Sequence, residues 1–165
     1  MQLQVVAFGK LKTPGLREAA DYYSKLIRPW VTLEEIELKP ISVPDKFPAT
    51  RSQIQSKEAQ ILTERLGIGQ KSRRHALYLL DEDGRGHTTE SWAGLVRQWE
   101  GESIAQVSLC VGSSLGFSDD LRSKAKGILS LGPQTLPHEL ARVVLLEQLY
   151  RAWSVTRGHP YHVSL

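Results

Sequence analysis

The chain has 165 residues, of which 41% are hydrophobic and 24% charged, and this composition predicts one ordinary globular domain spanning residues 1–165. Its single cysteine excludes a disulfide framework and a cysteine-based zinc cage, and its net charge of +3 is compatible with a nucleic-acid partner without requiring one. No apolar run is long enough for a membrane span and the first residues lack a signal peptide, so we expect a cytoplasmic protein with no membrane partner.

The chain opens with a strand, a helix and a second strand. An apolar run at 3–9 is predicted to be a strand, and apolar residues then recur at helical spacing from Leu16 until Pro29 ends the pattern. An alternating run at 31–38 predicts the second strand, with a phase slip at Glu34–Glu35 that we interpret as a bulge.

A loop and a helix follow. The proline-rich stretch 39–50 has no periodicity and predicts a long loop. Ser52 followed by Gln55 has the spacing of a capping box, so a helix is expected from there to Gly67. A basic cluster occupies 71–75.

Strand and helix patterns continue through the second half. The predicted elements are a buried strand at 75–80, a loop at 81–89, a helix from Trp92 to Gly101, a buried strand at 105–111, a short helix begun by Ser118, a strand at 127–131 and a helix from Pro137 to about Thr156. Because strands alternate with helices throughout, we predict an α/β fold with a parallel sheet flanked by helices.

The last helix is apolar on nearly every side. Its apolar residues point in almost all directions on a helical wheel: Leu140, Val143, Val144, Leu145, Leu146, Leu149, Tyr150 and Trp153. A helix of this kind must be covered all round, and one small sheet covers only one side. We therefore expect a second copy of the chain to cover the rest, in a symmetric homodimer.

The segment GSSLG at 112–116 matches the Gly-x-Ser-x-Gly nucleophile elbow of α/β-hydrolases and follows a predicted strand. However, the chain is short for that fold and has no HGGG run. Asp119 and Asp120 also lie too close to Ser114 to reach a distant histidine. A serine hydrolase using Ser114 is therefore the less favoured interpretation, and a glycine-rich turn the more favoured one.

The histidines do not have the paired spacing of metal ligands on one helix. His159 and His162 could share a turn, but no third ligand is evident. We expect no metal.

Three loops are expected at the carboxyl ends of parallel strands, the edge at which open α/β sheets bind ligands. They are Leu80–Asp81, Gly112–Gly116 and Leu131–Leu136. Their glycine, proline and apolar residues carry almost no charge. Such loops suit a flat, neutral ring such as adenine, held by backbone groups that Gly112 allows to come close.

The run LPHELARVVLLEQLYRAWSVTRGHPYH, residues 136–162, resembles the C-terminal signature of the ribosomal RNA large subunit methyltransferase H family, small knotted methyltransferases of the SPOUT superfamily. A weaker similarity extends over nearly the whole chain. The resemblance implies a C-terminal trefoil knot and S-adenosylmethionine as cofactor. It also implies methylation of N3 of a pseudouridine in 23S ribosomal RNA, within the assembled ribosome.

The resemblance also implies site residues. Carried over position by position, the cofactor-binding residues are Leu80, Gly112, Leu131, Gly132, Pro133, Gln134, Thr135 and Leu136. The catalytic candidates are His138, Arg142, Arg151, His159, Tyr161 and His162. The candidate base for the N3 proton is an imidazole, of His138 or His162, or a bound water.

The remaining candidates are expected to bind the RNA. Arg142 and Arg151 are candidates for holding phosphate or the uracil carbonyls, and Tyr161 for stacking on the base. We expect the tail at 158–165 to fold over the methyl donor and meet the target base, in its own chain or in the partner's site.

At one position the chain departs from the family, which usually has two adjacent glycines where this chain has Gly112 and Ser113. If residue 113 needs a positive φ, serine costs about 1 kcal/mol there. This departure leaves open a second alternative, a non-catalytic ribosome- or RNA-binding module with the same knot.

Overall fold

The computed structural model describes residues 1–45, 47–69 and 74–162. Within these ranges strands and helices alternate as predicted. The elements are β1 (Gln2–Phe8), α1 (Leu16–Ile27), β2 (Thr32–Leu38), α2 (Pro48–Leu66), β3 (His75–Gly86), α3 (Thr89–Gly101), β4 (Gln106–Val111), α4 (Asp119–Lys124), β5 (Gly127–Ser130) and α5 (His138–Thr156). Residues 71–73 of the predicted basic cluster lie outside the described ranges.

The strands form one parallel sheet in the order β2-β1-β4-β3-β5. Leu80 of β3 pairs with Val111 of β4 on one side and with Leu129 of β5 on the other. The carboxyl ends of these three strands therefore meet at one edge of the sheet. The predicted α/β fold with a parallel, helix-flanked sheet is confirmed.

Each face of the sheet has its own hydrophobic core. α1, α3 and α5 pack on one face, and α2 and α4 on the other. α5 contacts both α1 and α3, so it lies between two helices as well as against the sheet. This arrangement holds the start of α5 next to the sheet edge where β3, β4 and β5 end.

α5 is covered far more completely than we expected. Most of its apolar side chains are buried within the single chain, among them Leu145, Leu146, Leu149 and Trp153. The expectation that one subunit could not cover this helix was wrong, because α1 and α3 cover two sides that the sheet does not reach. The apolar surface of α5 therefore does not by itself indicate a dimer.

The predicted bulge in β2 is wrong. β1 and β2 pair without interruption from Gln2 beside Thr32 to Phe8 beside Leu38. The two glutamates that caused the phase slip point to opposite faces, as alternation requires. Glu34 accepts hydrogen bonds from Gln2 and Gln4 on one face, and Glu35 from Ser24, Arg17 and Arg142 on the other.

α2 begins earlier than the predicted capping box. Pro48 is its first residue, a position where the missing N–H of proline is tolerated, and Ser52 lies inside the helix. The predicted loop at 39–50 is shorter as a result. By contrast, Ser118 caps α4 as expected, because its side chain accepts from Leu121 N at 3.3 Å.

The predicted loop at 81–89 is also wrong over most of its length. β3 continues through Asp81 to Gly86, and after a register shift Arg85 and Gly86 pair with Leu129 and Ser130 of β5. Consecutive charged residues are unusual in a strand. Here Asp81, Glu82 and Asp83 lie in the extension, at the carboxyl edge of the sheet.

Candidate functional site

A pocket of about 620 Å³ opens at the edge where β3, β4 and β5 end and α5 begins. This volume lies within the range of about 300–1,000 Å³ that is typical of small-molecule sites. Its apolar lining residues include Leu80, Val111, Phe117, Leu131 and Leu136. The site therefore lies at the sheet edge that the sequence predicted.

Nearly all of the implied cofactor residues line this pocket. They are Leu80, Gly112, Leu131, Gly132, Gln134, Thr135 and Leu136. Pro133 is exposed and is not among the lining residues. Three loops that are distant in sequence are thus brought around one cavity.

The pocket carries more charge than we expected. Charged side chains line it from β3, from α2 and from α4: Asp81, Glu82, Asp83, Arg51 and Arg122. Arg122 forms an ion pair with Asp81, and Thr135 donates to Glu82, which fastens the loop after β5 to β3. The expectation of an almost uncharged pocket was wrong, because the extension of β3 brings three carboxylates to it and α2 and α4 each add an arginine.

Gly112 has a role in packing that we did not expect. A Cβ at this position would lie 3.0 Å from Cζ of Phe117, whose ring is buried and lines the pocket. The glycine thus leaves space for Phe117. A larger residue at 112 would reach the pocket by displacing this ring.

Neither Ser113 nor Ser114 has a positive φ. Ser103 is the single non-glycine residue with a positive φ among the described residues, at 51°. Ser113 therefore has no left-handed strain, and its replacement of the family's glycine costs nothing in backbone conformation. Ser114 likewise lacks the strained geometry of a nucleophile elbow.

Sequence reasoning missed the contribution of α2 to this site. Arg51 donates to Leu115 O from Nη2 at 3.0 Å and from Nε at 3.2 Å, and Gln55 Nε2 donates to the same oxygen at 2.7 Å. Both side chains line the pocket. Residues 51 and 55 are one helical turn apart, so the available signal was a shared polar face of α2.

Among the catalytic candidates, His138 is the one that lines the pocket. It is the first residue of α5, and its exposed side chain stands beside the implied cofactor loop. Glu139, the next residue, binds the loop before α1, with Thr13 N donating to its Oε2 at 3.2 Å.

Four other candidates gather at the opposite end of α5. Arg151 Nη1 lies 3.2 Å from His162 Nδ1, and the Arg151 guanidinium lies over the Tyr161 ring, 4.9 Å from its centroid. Backbone N of Tyr161 donates to His159 Nδ1 at 3.3 Å. The described part of the tail therefore folds back onto its own helix.

Glu147 organises this end of the helix. Tyr161 donates from its hydroxyl to Glu147 Oε1 at 3.1 Å, and Arg151 forms an ion pair with the same carboxylate. Partial burial, together with the negative charge of Glu147, raises the pKa of Tyr161. The phenol therefore remains protonated at neutral pH.

The two groups of candidates do not meet within one chain. Arg151 lies thirteen positions after His138 on the helix, which corresponds to about 20 Å at a rise of 1.5 Å per residue. Arg142 lies between them in sequence but is 1% exposed, and its guanidinium is bonded to Glu35 and Glu37. It is therefore not free to hold a phosphate in this chain.

The described residues contain neither a metal-binding cluster nor a membrane-spanning helix. Within 1–45, 47–69 and 74–162, no cluster of three His, Cys, Asp or Glu side chains could hold a metal ion. Over the same ranges, no helix has the length and apolarity needed to cross a membrane.

Comparison with known proteins gives a consistent picture. Residues 1–162 match a family model described as "Predicted SPOUT methyltransferase". The chain is 39% identical to "Ribosomal RNA large subunit methyltransferase H" of Cupriavidus pinatubonensis over 167 residues, which cover 98% of this chain and 99% of the relative. Proteins of the same name from Streptococcus gordonii and Natranaerobius thermophilus are each 34% identical, with the same coverage. Both the family match and these identities extend over nearly the full length, so the chain belongs to the SPOUT methyltransferase family.

Proposed function

We propose that the protein is an S-adenosylmethionine-dependent methyltransferase that modifies N3 of a pseudouridine in 23S ribosomal RNA within the assembled ribosome. The observation that carries this proposal is the pocket at the ends of β3, β4 and β5, which lies in a chain whose relatives are named for ribosomal RNA methylation. The substrate nucleotide follows from the resemblance of residues 136–162 to that family.

The pocket residues suit the two unlike halves of S-adenosylmethionine. Leu80, Leu131 and Leu136 offer apolar surface to an adenine ring, beside the peptide groups of the glycine-containing loops. Asp81, Asp83 and Arg51 would face the charged amino-acid half. When bound, the cofactor would supply an electrophilic methyl group on a positively charged sulfur, and nearby carboxylates favour such a charge.

The remaining chemistry falls to residues of the protein. For N3 of the base to accept a methyl group, the proton on N3 would have to be removed. His138, at the pocket, is positioned to take this proton, and His162 is the second candidate. The protein also has to align N3 with the methyl group, and RNA contacts from Arg151 and Tyr161 would provide this alignment.

This assignment requires a second copy of the chain, because Arg151 and Tyr161 lie far from the pocket of their own subunit. A symmetric homodimer would bring the tail of one chain to the pocket of the other. Exposed apolar side chains support an interface on this side of the molecule, since Tyr22 of α1 is 59% exposed, Leu140 of α5 37% and Tyr161 of the tail 37%.

Two further parts of the proposal rest on the resemblance. The segment after β5 is threaded through a trefoil knot, so that the 131–136 loop is held firmly around the cofactor. The protein acts in the cytoplasm, where assembled ribosomes are found.

Calorimetry with S-adenosylmethionine in the presence of a chelator tests the cofactor assignment. We expect binding without metal, and a large loss of affinity in Gly112→Val, because the added side chain displaces Phe117 into the pocket. Gly101→Val is a matched control, since nothing lies within 4 Å of a Cβ at that glycine. A folded Gly112→Val variant that binds as tightly as the parent would remove this loop from the site.

Light scattering tests the dimer. Obligate interfaces usually bury more than about 2,000 Å² in total, so the protein should remain dimeric at micromolar concentration. A stable, folded monomer at that concentration would contradict the proposal.

A further inference from the structure

α2 presents three polar side chains to the 112–116 loop from one face. Arg51, Gln55 and Glu58 follow each other at spacings of four and three residues, which places them in a row along the helix. The first two donate to Leu115 O. The third, Glu58, accepts from Ser113 Oγ at 2.9 Å.

Glu58 is an unusual residue in its surroundings. It is 5% exposed, and its neighbours on the buried side of α2 are apolar: Ile54, Ala59 and Leu62. Burial raises the pKa of Glu58, and the hydrogen bond from Ser113 only partly offsets this. Burying a carboxyl group among apolar residues costs free energy unless it is hydrogen-bonded, so the side chain needs its partner.

The hydroxyl of Ser113 joins two groups. It donates its one proton to Glu58 Oε2, and its oxygen accepts from Leu115 N at 3.3 Å. Glu58 therefore fixes the hydroxyl, and the hydroxyl in turn fixes a backbone N–H of the loop. A glycine at position 113, which is usual in the family that residues 136–162 resemble, has no hydroxyl and could make neither contact.

These contacts act on peptide groups that belong to the pocket. Gly112, Ser113, Ser114 and Gly116 all line it, and Leu115 is held from both its N–H and its carbonyl. A loop that is held in place before binding loses less conformational freedom when the ligand arrives, and the affinity is higher for that reason.

We propose that Glu58 is a positioning residue, which holds the 112–116 loop through Ser113 in the conformation that binds the ligand and so sets the affinity of the pocket. The identity of the ligand as S-adenosylmethionine rests on the proposed function, whereas the positioning of the loop does not.

The test compares four single variants in the full-length protein. Ser113→Ala and Glu58→Ala each remove the contact, and Glu58→Gln keeps an oxygen that can accept from Ser113. Glu64→Gln is the matched control, because Glu64 is an exposed glutamate on the same helix that accepts from Gln60 at 2.9 Å.

The first measurement is hydrogen–deuterium exchange of the peptide covering 112–117 in the free protein. We expect faster exchange in Ser113→Ala and Glu58→Ala, and exchange at the parent's rate in Glu58→Gln and Glu64→Gln. Exchange at the parent's rate in a folded Ser113→Ala variant would overturn the proposal. Because Ser113→Ala is a small change at a half-buried site, the test remains valid even if Glu58→Ala does not fold.

The second measurement is the affinity for S-adenosylhomocysteine by calorimetry. We expect roughly tenfold weaker binding in Ser113→Ala and Glu58→Ala, no further loss when the two are combined, and recovery to near the parent's affinity in Glu58→Gln. A merely structural role would lower the melting temperature of the variants and leave this affinity unchanged.

The outcomes separate the two claims. If the parent binds and the folded Ser113→Ala variant binds as tightly, Glu58 does not set the affinity of the pocket, so this proposal fails while the proposed function stands. If the parent binds neither S-adenosylmethionine nor S-adenosylhomocysteine, the proposed function fails, and the exchange rates alone decide whether Glu58 holds the loop.

Discussion

Arg142 of α5 donates from Nε to Glu35 Oε2 of β2 at 3.1 Å, across 107 residues of sequence. The guanidinium is 1% exposed, and its Nη1 donates to Glu37 at 2.8 Å. Arg17 of α1 bridges the same two glutamates. This ion-pair cluster holds α5 against β2, the outer strand of the sheet. It thereby fixes the position of His138 at the pocket.

Replacing Glu35 should destabilise the fold strongly. Glu35→Gln leaves the buried Arg142 with one carboxylate in place of two, and losing a hydrogen bond to a charged group typically costs about 1.5–3 kcal/mol. Urea unfolding should show a loss of this order. As a control, Glu90→Gln breaks the exposed pair with Arg97 and should cost less than about 1 kcal/mol. Equal losses in the two variants would contradict the importance of the cluster.

The same residue should make stability depend on pH. Burial opposes ionisation of Glu35, but hydrogen bonds from Ser24, Arg142 and Arg17 outweigh this effect and lower its pKa below 4.5. The contribution of Glu35 to the free energy of unfolding is therefore present above about pH 4.5 and is lost as the pH falls through its lowered pKa. We expect the difference in stability between parent and Glu35→Gln to shrink with acid. A difference that stays constant from neutral pH to pH 3 would refute the assignment.

Gly84 should be required for the extension of β3. A Cβ there would lie 2.7 Å from the carbonyl carbon of Leu129 and 2.9 Å from that of Ile128, both backbone atoms of β5 that cannot easily move. Gly84→Ala should cost about 1–3 kcal/mol and speed hydrogen exchange in 127–130. Gly86→Ala is the matched control, with nothing within 4 Å. Unchanged exchange in a folded Gly84→Ala variant would contradict the packing.

The proposed shared site makes a strong prediction for mixed dimers. Gly112→Val lacks a functional pocket, and truncation after Gly158 lacks the tail, so each should be inactive as a homodimer. A heterodimer of the two contains one complete site, because the intact tail of the first meets the intact pocket of the second. Random mixing should restore roughly a quarter of the parent's methyl transfer. No recovery in dimers shown to have exchanged subunits would place the tail in its own chain's site.

Much of the fold could be predicted from the sequence. Apolar runs predicted the strands, apolar spacing from Leu16 predicted α1, and Ser118 predicted the start of α4. These patterns depend only on residues that are close in sequence. The alternation of strand and helix gave the parallel sheet, and from it the pocket edge where Leu80 and Gly112 lie. Of the residues that the resemblance supplied, His138 and all the cofactor candidates except Pro133 line the same cavity.

The predictions that failed, and the contacts that were missed, depend on residues that are distant in sequence. β3 continues past Leu80 because Arg85 and Gly86 pair with β5 after a register shift, and the sequence does not reveal that partner. Coverage of α5 by α1 and α3 is likewise a matter of tertiary packing. The role of Glu58 depends on Ser113, 55 residues away, and no local pattern connects the two.

The most direct test of the account is the fate of a labelled methyl group. Purified protein is incubated with S-adenosylmethionine carrying a deuterated methyl and with ribosomes from a strain that lacks the corresponding methyltransferase. The nucleosides of the 23S RNA are then analysed by mass spectrometry. We predict a single labelled nucleoside, 3-methylpseudouridine, whose amount rises with incubation time and falls to background with Gly112→Val. Absence of label from the RNA, or label on another nucleoside, would contradict the proposed function.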